Sequence, residues 1–367
     1  MIDYQYINNI YNDLPLLIKM TWVISVSLTL IIIFMSMYLK VIRQRLRKKR
    51  EINIKFKEEY ESLLVAYLYS GDDSGKITEA QTTIIESLKD SVKIDSKRKI
   101  IVAVLFDLMN EVSGEMSSTI QTFYHNSGLI NYAYDRLGSK KWNIIAKGIG
   151  ELRRFRVEEA SHKVAKFINF PRPEVQRETQ LYMVNLFLFE GLSFLDELTT
   201  TLSEWAQIQL LETLQRFENQ EICDIRPWLK SANDSVVLFA LKLAQIYNQF
   251  EVKDTLMELL SHTNKDVRIN TINVLTHLYG IEAKDILKAN FNTLSIEEQI
   301  SFFGLLEKLV MPDDEPFIEE HLFHKNFEIQ LLALNILKEI NIDKYVGFSK
   351  LSNKEKSKAM IKSENKI

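Results

Sequence analysis

The stretch GDDSGK at residues 71–76 combines glycines, carboxylates and a lysine, which are the residue types of phosphate and calcium sites. A phosphate loop needs four residues between its glycines and Ser or Thr after the lysine, whereas three intervene here and Ile77 follows. A calcium loop would need a bidentate glutamate where Gln81 stands. We therefore predict a turn, followed by a helix that Thr78 and Gln81 begin as a capping box.

Histidine and cysteine offer no better site. His321 and His324 lie one helical turn apart beside Glu320, but the sequence supplies no clear distal ligand to complete a metal site. The single cysteine, Cys223, has no disulfide partner, and its apolar neighbours favour a buried thiol. The chain also lacks a nucleophile elbow, an HExxH pair and a dinucleotide fingerprint. We therefore expect no catalytic, cofactor-binding or metal-binding residues, and a protein that is not an enzyme.

Composition favours helices throughout the chain. Of 367 residues, 46% are hydrophobic and 26% charged, while only 11 are Gly and 6 are Pro. Such a chain can bury a sizeable core, and scarce Gly and Pro favour long helices over strands and tight turns. We predict an all-α protein.

Residues 20–39 form the most apolar stretch, with no charge, Pro or Gly in 20 residues. About 20 such residues span a hydrocarbon core of roughly 30 Å. Trp22 and Tyr38 lie near the two ends, where amphipathic rings prefer the headgroup layer. We predict one transmembrane helix over 20–39, after a short extracytoplasmic segment, 1–19. A cleaved signal peptide is the alternative, but residues 1–19 lack a basic start and no small-residue cleavage site follows.

Seven cations follow the span within eleven residues: Lys40, Arg43, Arg45, Arg47, Lys48, Lys49 and Arg50. Because positive flanks stay inside, we predict a single-pass protein of the inner, cytoplasmic membrane with its N-terminus out. The cations should also bind anionic lipid, at about 1 kcal/mol each. Nucleic acid is the alternative ligand, but no aromatic residues interleave the arginines to stack on bases.

A basic juxtamembrane helix is predicted over 40–70. No Pro or Gly occurs between Pro15 and Gly71, so the membrane helix can continue as one rod. Its apolar residues follow helical spacing at Phe56, Tyr60, Leu63, Leu64 and Tyr67.

A longer period governs the rest of the chain. Equivalent apolar positions, each heading a pattern of three residues four apart, recur at spacings of 31, 30, 31, 31, 31 and 31: Ile144, Val175, Trp205, Val236, Val267, Glu298 and Ile329. Residues four apart share one helix face, so each unit reads as a helix, with Asn233, Asn264 or Asn326 as an N-cap in three units. A second register marks a following helix: Ala160, Gly191, Ile222, Val252, Ala283 and Asp314. Such hairpins must stack to bury their apolar faces, which predicts an α-solenoid.

The period resembles the HEAT repeat in the short form of bacterial HEAT-like proteins, with Val267 and Arg268 nearest to that family's Val-Arg pair. Glu298 and Trp205 depart from the pattern. An irregular helical bundle is the alternative, whereas ankyrin and tetratricopeptide repeats need a signature or a period that is absent. The segments NEVSGEMSSTIQTFYHNSGL and KKWNIIAKGIGELRRF resemble a family of membrane-anchored bacterial HEAT-repeat proteins. That resemblance suggests partners in a membrane glycosyltransferase system.

These features divide the chain further. We predict a helical cap over 71–138, about seven HEAT-like units over 139–346 and a lysine-rich disordered tail over 347–367. Residues 1–50 carry +6 and residues 345–367 carry +4, so a whole-chain charge of −3 leaves −13 for residues 51–344. An acidic solenoid is a poor nucleic-acid clamp, and we expect no nucleic-acid partner.

The resulting functional hypothesis is a membrane-tethered, cytoplasmic scaffold for protein partners that are themselves membrane-associated. Two alternatives stay open: an enzyme-associated role like that of HEAT-like lyases, and a structural spacer at the membrane. The second-helix register gives six candidate partner-surface residues: Glu159, Lys163, Lys253, Lys284, Asp285 and Lys288.

Overall fold

The computed structural model describes residues 15–71, 77–216 and 222–351, except the side chains of Leu17 and of residues 349–351. Within these ranges every regular element is a helix, which confirms the all-α prediction. The chain forms two compact units, one ending at Tyr132 and the other beginning at Ala133. This division precedes the predicted 138/139 boundary and falls inside helix α5, Leu129–Leu137.

The first unit is organised by α1, a 54-residue helix over Leu16–Tyr69. Its last turns are buried at Tyr60, Leu64 and Tyr67. They pack against three helices of the same unit: α2 (Glu79–Lys93), α3 (Asp95–Glu111) and α4 (Glu115–Asn126). The uninterrupted helix confirms the predicted rod.

The first 40 residues of α1 have no such packing. By length and composition α1 is the one described helix that could cross a membrane, and its most apolar window is entirely unburied. Trp22 and Tyr38 are both about 60% exposed, at 60% and 59%. All seven cations between Lys40 and Arg50 also face solvent.

A capping box begins α2, as predicted. Thr78 accepts a hydrogen bond from the backbone N–H of Gln81, whose side chain accepts one from the N–H of Thr78. The amide of Gln81 also donates to the Tyr67 carbonyl at 3.1 Å, which ties α2 to the end of α1. Residues 72–76 of the predicted turn lie outside the described residues.

The second unit repeats a long helix followed by a short one. The long helices, called first helices here, begin 30 or 31 residues apart: α6 (Trp142–Arg154), α8 (Pro173–Phe187), α9 (Glu204–Gln215), α11 (Asp234–Ile246), α13 (Lys265–His277), α15 (Ile296–Leu309) and α17 (Phe327–Ile340). The short helices are α7 (Ser161–Ala165), α10 (Arg226–Leu229), α12 (Lys253–Leu259), α14 (Ala283–Ala289) and α16 (Glu315–Glu320). After α8 a 3₁₀ helix, Glu190–Asp196, takes the place of a short helix.

Successive first helices pack against one another. Contacts join α6 to α8, α8 to α9, α11 to α13, α13 to α15 and α15 to α17. Across the described ranges, α9 and α11 are the consecutive pair without a comparable interface, and the four-residue α10 packs on α11 and α12 instead. A short helix covers little of a longer one, so each apolar face is buried by the next unit.

Burial along the first helices follows the predicted period. Val175, Val236, Val267 and Ile329 are completely buried, and so are their partners four residues later. The register needs correction in the third unit, because Trp205 is 60% exposed and Ala206 is buried in its place. In the first unit of the series, the predicted Ile144 is only half-buried.

Capping side chains fix where these helices begin. Asn233, Asn264 and Asn326 each accept a hydrogen bond from a backbone N–H of the first turn, as predicted. Close packing fixes the second register: a Cβ on Gly191 would lie 2.3 Å from the carbonyl oxygen of Met183, so only glycine fits. Ile222 lies in a loop, not in the predicted helix.

The end of the described chain corrects the predicted tail. Helix α18, Ile342–Leu351, packs on α17, so residues 347–351 are helical and not disordered. Residues 352–367 of the predicted tail lie outside the described residues.

Candidate binding groove

The largest cavity of the second unit is a groove of about 860 Å³. One wall is the end of the 3₁₀ helix and the loop after it, including Asp196 and Thr199. The other wall runs from α10 into α11 and includes Trp228, Asp234 and Leu238. The groove therefore lies beside the α9–α11 break in first-helix packing, and we call it the Leu195–Leu238 groove after its outermost lining residues.

Fixed hydrogen bonds hold both walls. The Trp228 indole Nε1 donates to Asp196 Oδ1 at 2.8 Å, and the Asn233 amide donates to the carbonyls of Leu198 and Thr200 at 3.0 and 2.9 Å. Ser235 Oγ accepts from the Leu202 N–H at 2.9 Å. Because these bonds join consecutive units, the groove has a preformed shape.

A second, smaller cavity of about 300 Å³ occupies the equivalent place two units later, between Leu260 and Glu298. Its charged groups are already engaged with each other: Arg268 Nε donates to Glu298 Oε1 at 2.5 Å and Arg268 Nη1 donates to the His262 carbonyl at 2.6 Å. This cavity therefore has less room and fewer free polar atoms than the Leu195–Leu238 groove.

The Arg268–Glu298 pair explains why a glutamate occupies an apolar slot. Glu298 is only 1% exposed, and burial would raise its pKa, but hydrogen bonds from Arg268 and from the Ser295 cap lower the pKa overall. The two residues belong to neighbouring units. Their bond is one of several polar contacts that span about one period: Asn264 to Asp234 at 2.6 Å and Lys265 to Glu297 at 3.2 Å are others.

A buried ion cluster joins the next two units. Asp314 is 2% exposed and accepts from Lys284 Nζ at 2.8 Å and from Lys288 Nζ at 2.5 Å. Burial would raise the pKa of Asp314, but both lysines and the Met311 N–H donate to its carboxylate and lower the pKa overall. The carboxylate is therefore ionised at neutral pH and compensates two lysines.

The six residues of the predicted partner surface lie in three separate parts of the repeat series. Glu159 and Asp285 are exposed; Lys163 lies 4.0 Å over the Tyr134 ring, and Lys253 donates to the Tyr279 carbonyl at 3.2 Å. Lys284 needs correction, because at 5% exposure it is an interior residue of the Asp314 cluster and not a surface residue. Lys288 is half-buried in the same cluster.

Cysteine and histidine are structural in the described chain. Cys223 is half-buried, and burial raises the pKa of its thiol, which lowers its reactivity. His321 is buried between the rings of Phe291 and Phe317, at 4.5 and 4.4 Å between centroids. No group of three metal-ligating side chains occurs among the residues that were searched, which are those the structure describes.

Comparisons with known proteins add little. No family model and no curated protein matches this chain. Among solved structures, human deoxyhypusine hydroxylase in complex with glycerol is 14% identical over 79% of this chain and 98% of its own, with a TM-score of 0.29. An engineered protein is also 14% identical, over 70% and 96%, with a TM-score of 0.23. At these TM-scores neither likeness informs fold or function.

The cross-unit polar contacts lead to a prediction. Asp314→Asn leaves Lys284 buried without its counter-ion, so the free energy of unfolding should fall by about 3 kcal/mol. The neighbouring Asp313 is exposed, and Asp313→Asn should change it by less than about 0.5 kcal/mol. Denaturant unfolding of the full chain measures both; equal effects would contradict the role given to Asp314.

The same cluster predicts a pH dependence. The folded pKa of Asp314 lies below its unfolded value of about 3.9, so the stabilisation is complete above that value and is lost as pH falls through the folded pKa. Unfolding free energy should therefore decline below about pH 4, and less steeply in Asp314→Asn than in Asp313→Asn. Parallel slopes for the two variants would contradict this assignment.

Proposed function

We propose that this protein is a membrane-tethered scaffold whose HEAT-like solenoid binds protein partners on the cytoplasmic side. The exposed apolar surface of α1 carries the tether. Fifteen large hydrophobic side chains between Met20 and Leu39 are each about half exposed or more. Such a continuous apolar surface is costly in water and matches a bilayer in length.

Orientation follows from charge. The seven cations from Lys40 to Arg50 lie at one end of the apolar stretch, which favours the cytoplasmic side for everything after them. Their exposed side chains are also available to anionic headgroups. Both units then lie in the cytoplasm, and the N-terminal segment lies outside.

A binding role fits the second unit better than catalysis. The Leu195–Leu238 groove is preformed, crosses two units and is lined by polar and apolar side chains alike, as peptide-binding surfaces of repeat proteins are. Its titratable groups have fixed partners, Asp196 with Trp228 and Asp234 with Asn264, so neither is poised as a general acid or base. We therefore propose a non-enzymatic protein whose partners are membrane-associated.

Membrane anchoring predicts a fractionation result. Leu30→Lys with Ile33→Lys places two charges at the centre of the span, each costing about 2.5–3.5 kcal/mol, and should release the protein from carbonate-washed membranes. Ile52→Lys with Ile54→Lys changes two equally exposed residues of the same helix beyond the span and should leave it membrane-bound. Release of the unchanged protein by carbonate would contradict anchoring by α1.

The scaffold itself is tested by partner capture. In-cell crosslinking, affinity purification and mass spectrometry would compare the full chain with a version that lacks residues 139–344 and keeps the anchor. We expect a small set of membrane proteins that is lost with the deletion. An identical or empty partner set would contradict the scaffold and favour the spacer role.

A further inference from the structure

The Leu195–Leu238 groove has a strongly acidic character. Among its thirteen lining residues, two are carboxylates, Asp196 and Asp234, and none is a lysine, arginine or histidine. The surrounding sequence reinforces this, because residues 190–224 contain eight acidic residues and one basic residue, Arg216. Such a field favours a cationic occupant.

Both carboxylates are held in place with capacity to spare. Asp196 uses Oδ1 to accept from Trp228, and its Oδ2 accepts no hydrogen bond from the described part of the chain. Asp234 uses Oδ2 to accept from Asn264 at 2.6 Å, and His262 Nε2 lies 3.8 Å from its Oδ1. A carboxylate has about four lone-pair sites, so each can still accept from an ammonium group.

The chain contains a segment of matching chemistry. Residues 352–367, SNKEKSKAMIKSENKI, hold five lysines against two glutamates. Met360 and Ile361 stand between Lys358 and Lys362, and the groove supplies apolar contacts at Leu198, Pro227 and Leu238. Lysines on both sides of an apolar pair match carboxylates on two walls with apolar residues near them.

The segment is also long enough to reach. Helix α18 ends at Leu351, and sixteen further residues span up to about 53 Å when extended. From α17 back to α11 is three helix-packing steps, α17 to α15 to α13 to α11. At 8–10 Å a step this distance is roughly 30 Å. No described helix has to move for the segment to enter the groove.

We propose that residues 352–367 bind in the Leu195–Leu238 groove of their own chain, with lysine side chains paired to Asp196 and Asp234. The groove is then self-occupied, and a basic segment of another protein gains access only by displacing the tail. The proposal concerns contacts within one chain and stands independently of the membrane role.

Two measurements on the full-length protein test it. Carbodiimide crosslinking of a mixture of light and ¹⁵N-labelled protein, read by mass spectrometry, should join tail lysines to Asp196 or Asp234 within chains of one isotope. Trypsin cleavage after Lys354, Lys356, Lys358 and Lys362 should be slow in the unchanged protein, because a bound segment is protected.

Matched variants separate the groove from other acidic surface. Asp196→Asn with Asp234→Asn keeps both accepting oxygens for Trp228 and Asn264 but removes the charges, and cleavage should accelerate about fivefold. Asp254→Asn with Asp285→Asn removes two exposed carboxylates outside the groove and should leave the rate unchanged. Circular dichroism and the melting temperature confirm that both variants fold.

Three results would overturn the proposal. Equal cleavage rates in all three proteins would show that the groove carboxylates do not hold the tail. Crosslinks that join tail lysines to carboxylates outside the groove would place the tail elsewhere. Crosslinks between light and heavy chains would assign the groove to a second copy.

Discussion

The second unit depends on one constraint: no hairpin in it can bury its own apolar face. The first helices of the repeat are 12–15 residues long, whereas the short helices that follow them have 4–7. A first helix therefore needs the next first helix as its cover, and the chain supplies it after 30 or 31 residues. Polar contacts then form at the same interval, because equivalent positions in neighbouring units are brought together.

These polar contacts give the stack its register. A purely apolar interface would tolerate sliding, but Asn264 reaches Asp234, Arg268 reaches Glu298 and Lys284 reaches Asp314 in only one alignment. Buried pairs of this kind add little net stability when complete and cost several kcal/mol when broken. Their main effect here is to make misaligned stacking costly.

The sequence allowed the fold to be predicted where periodicity and local chemistry decide it. The 31-residue period, the asparagine caps, the Thr78 capping box and the uninterrupted α1 all follow from residues close together in the chain. The prediction failed where partners are distant. Glu298 looked like a departure until Arg268 was found beside it, and Lys284 looked exposed until Asp314 was.

The groove could not be predicted for the same reason. Trp205 marked an irregular unit, but only the structure shows that Ala206 takes its slot and that α9 and α11 part beside a cavity. The acidic run over residues 190–224 was the available signal, and a charge run alone does not distinguish a groove from an ordinary solvated face. The groove is where the repeat's regularity is interrupted and where binding capacity is gained.

The most direct test of this stacked architecture is zero-length carbodiimide crosslinking of the unchanged protein, mapped by mass spectrometry. Three exposed pairs join neighbouring units: Lys230 with Glu258 at 2.8 Å, Lys265 with Glu297 at 3.2 Å and Lys344 with Glu315 at 2.6 Å. Successive stacking predicts crosslinks within these pairs. Crosslinks that skip a unit, such as Lys265 with Glu328, in place of these pairs would contradict it.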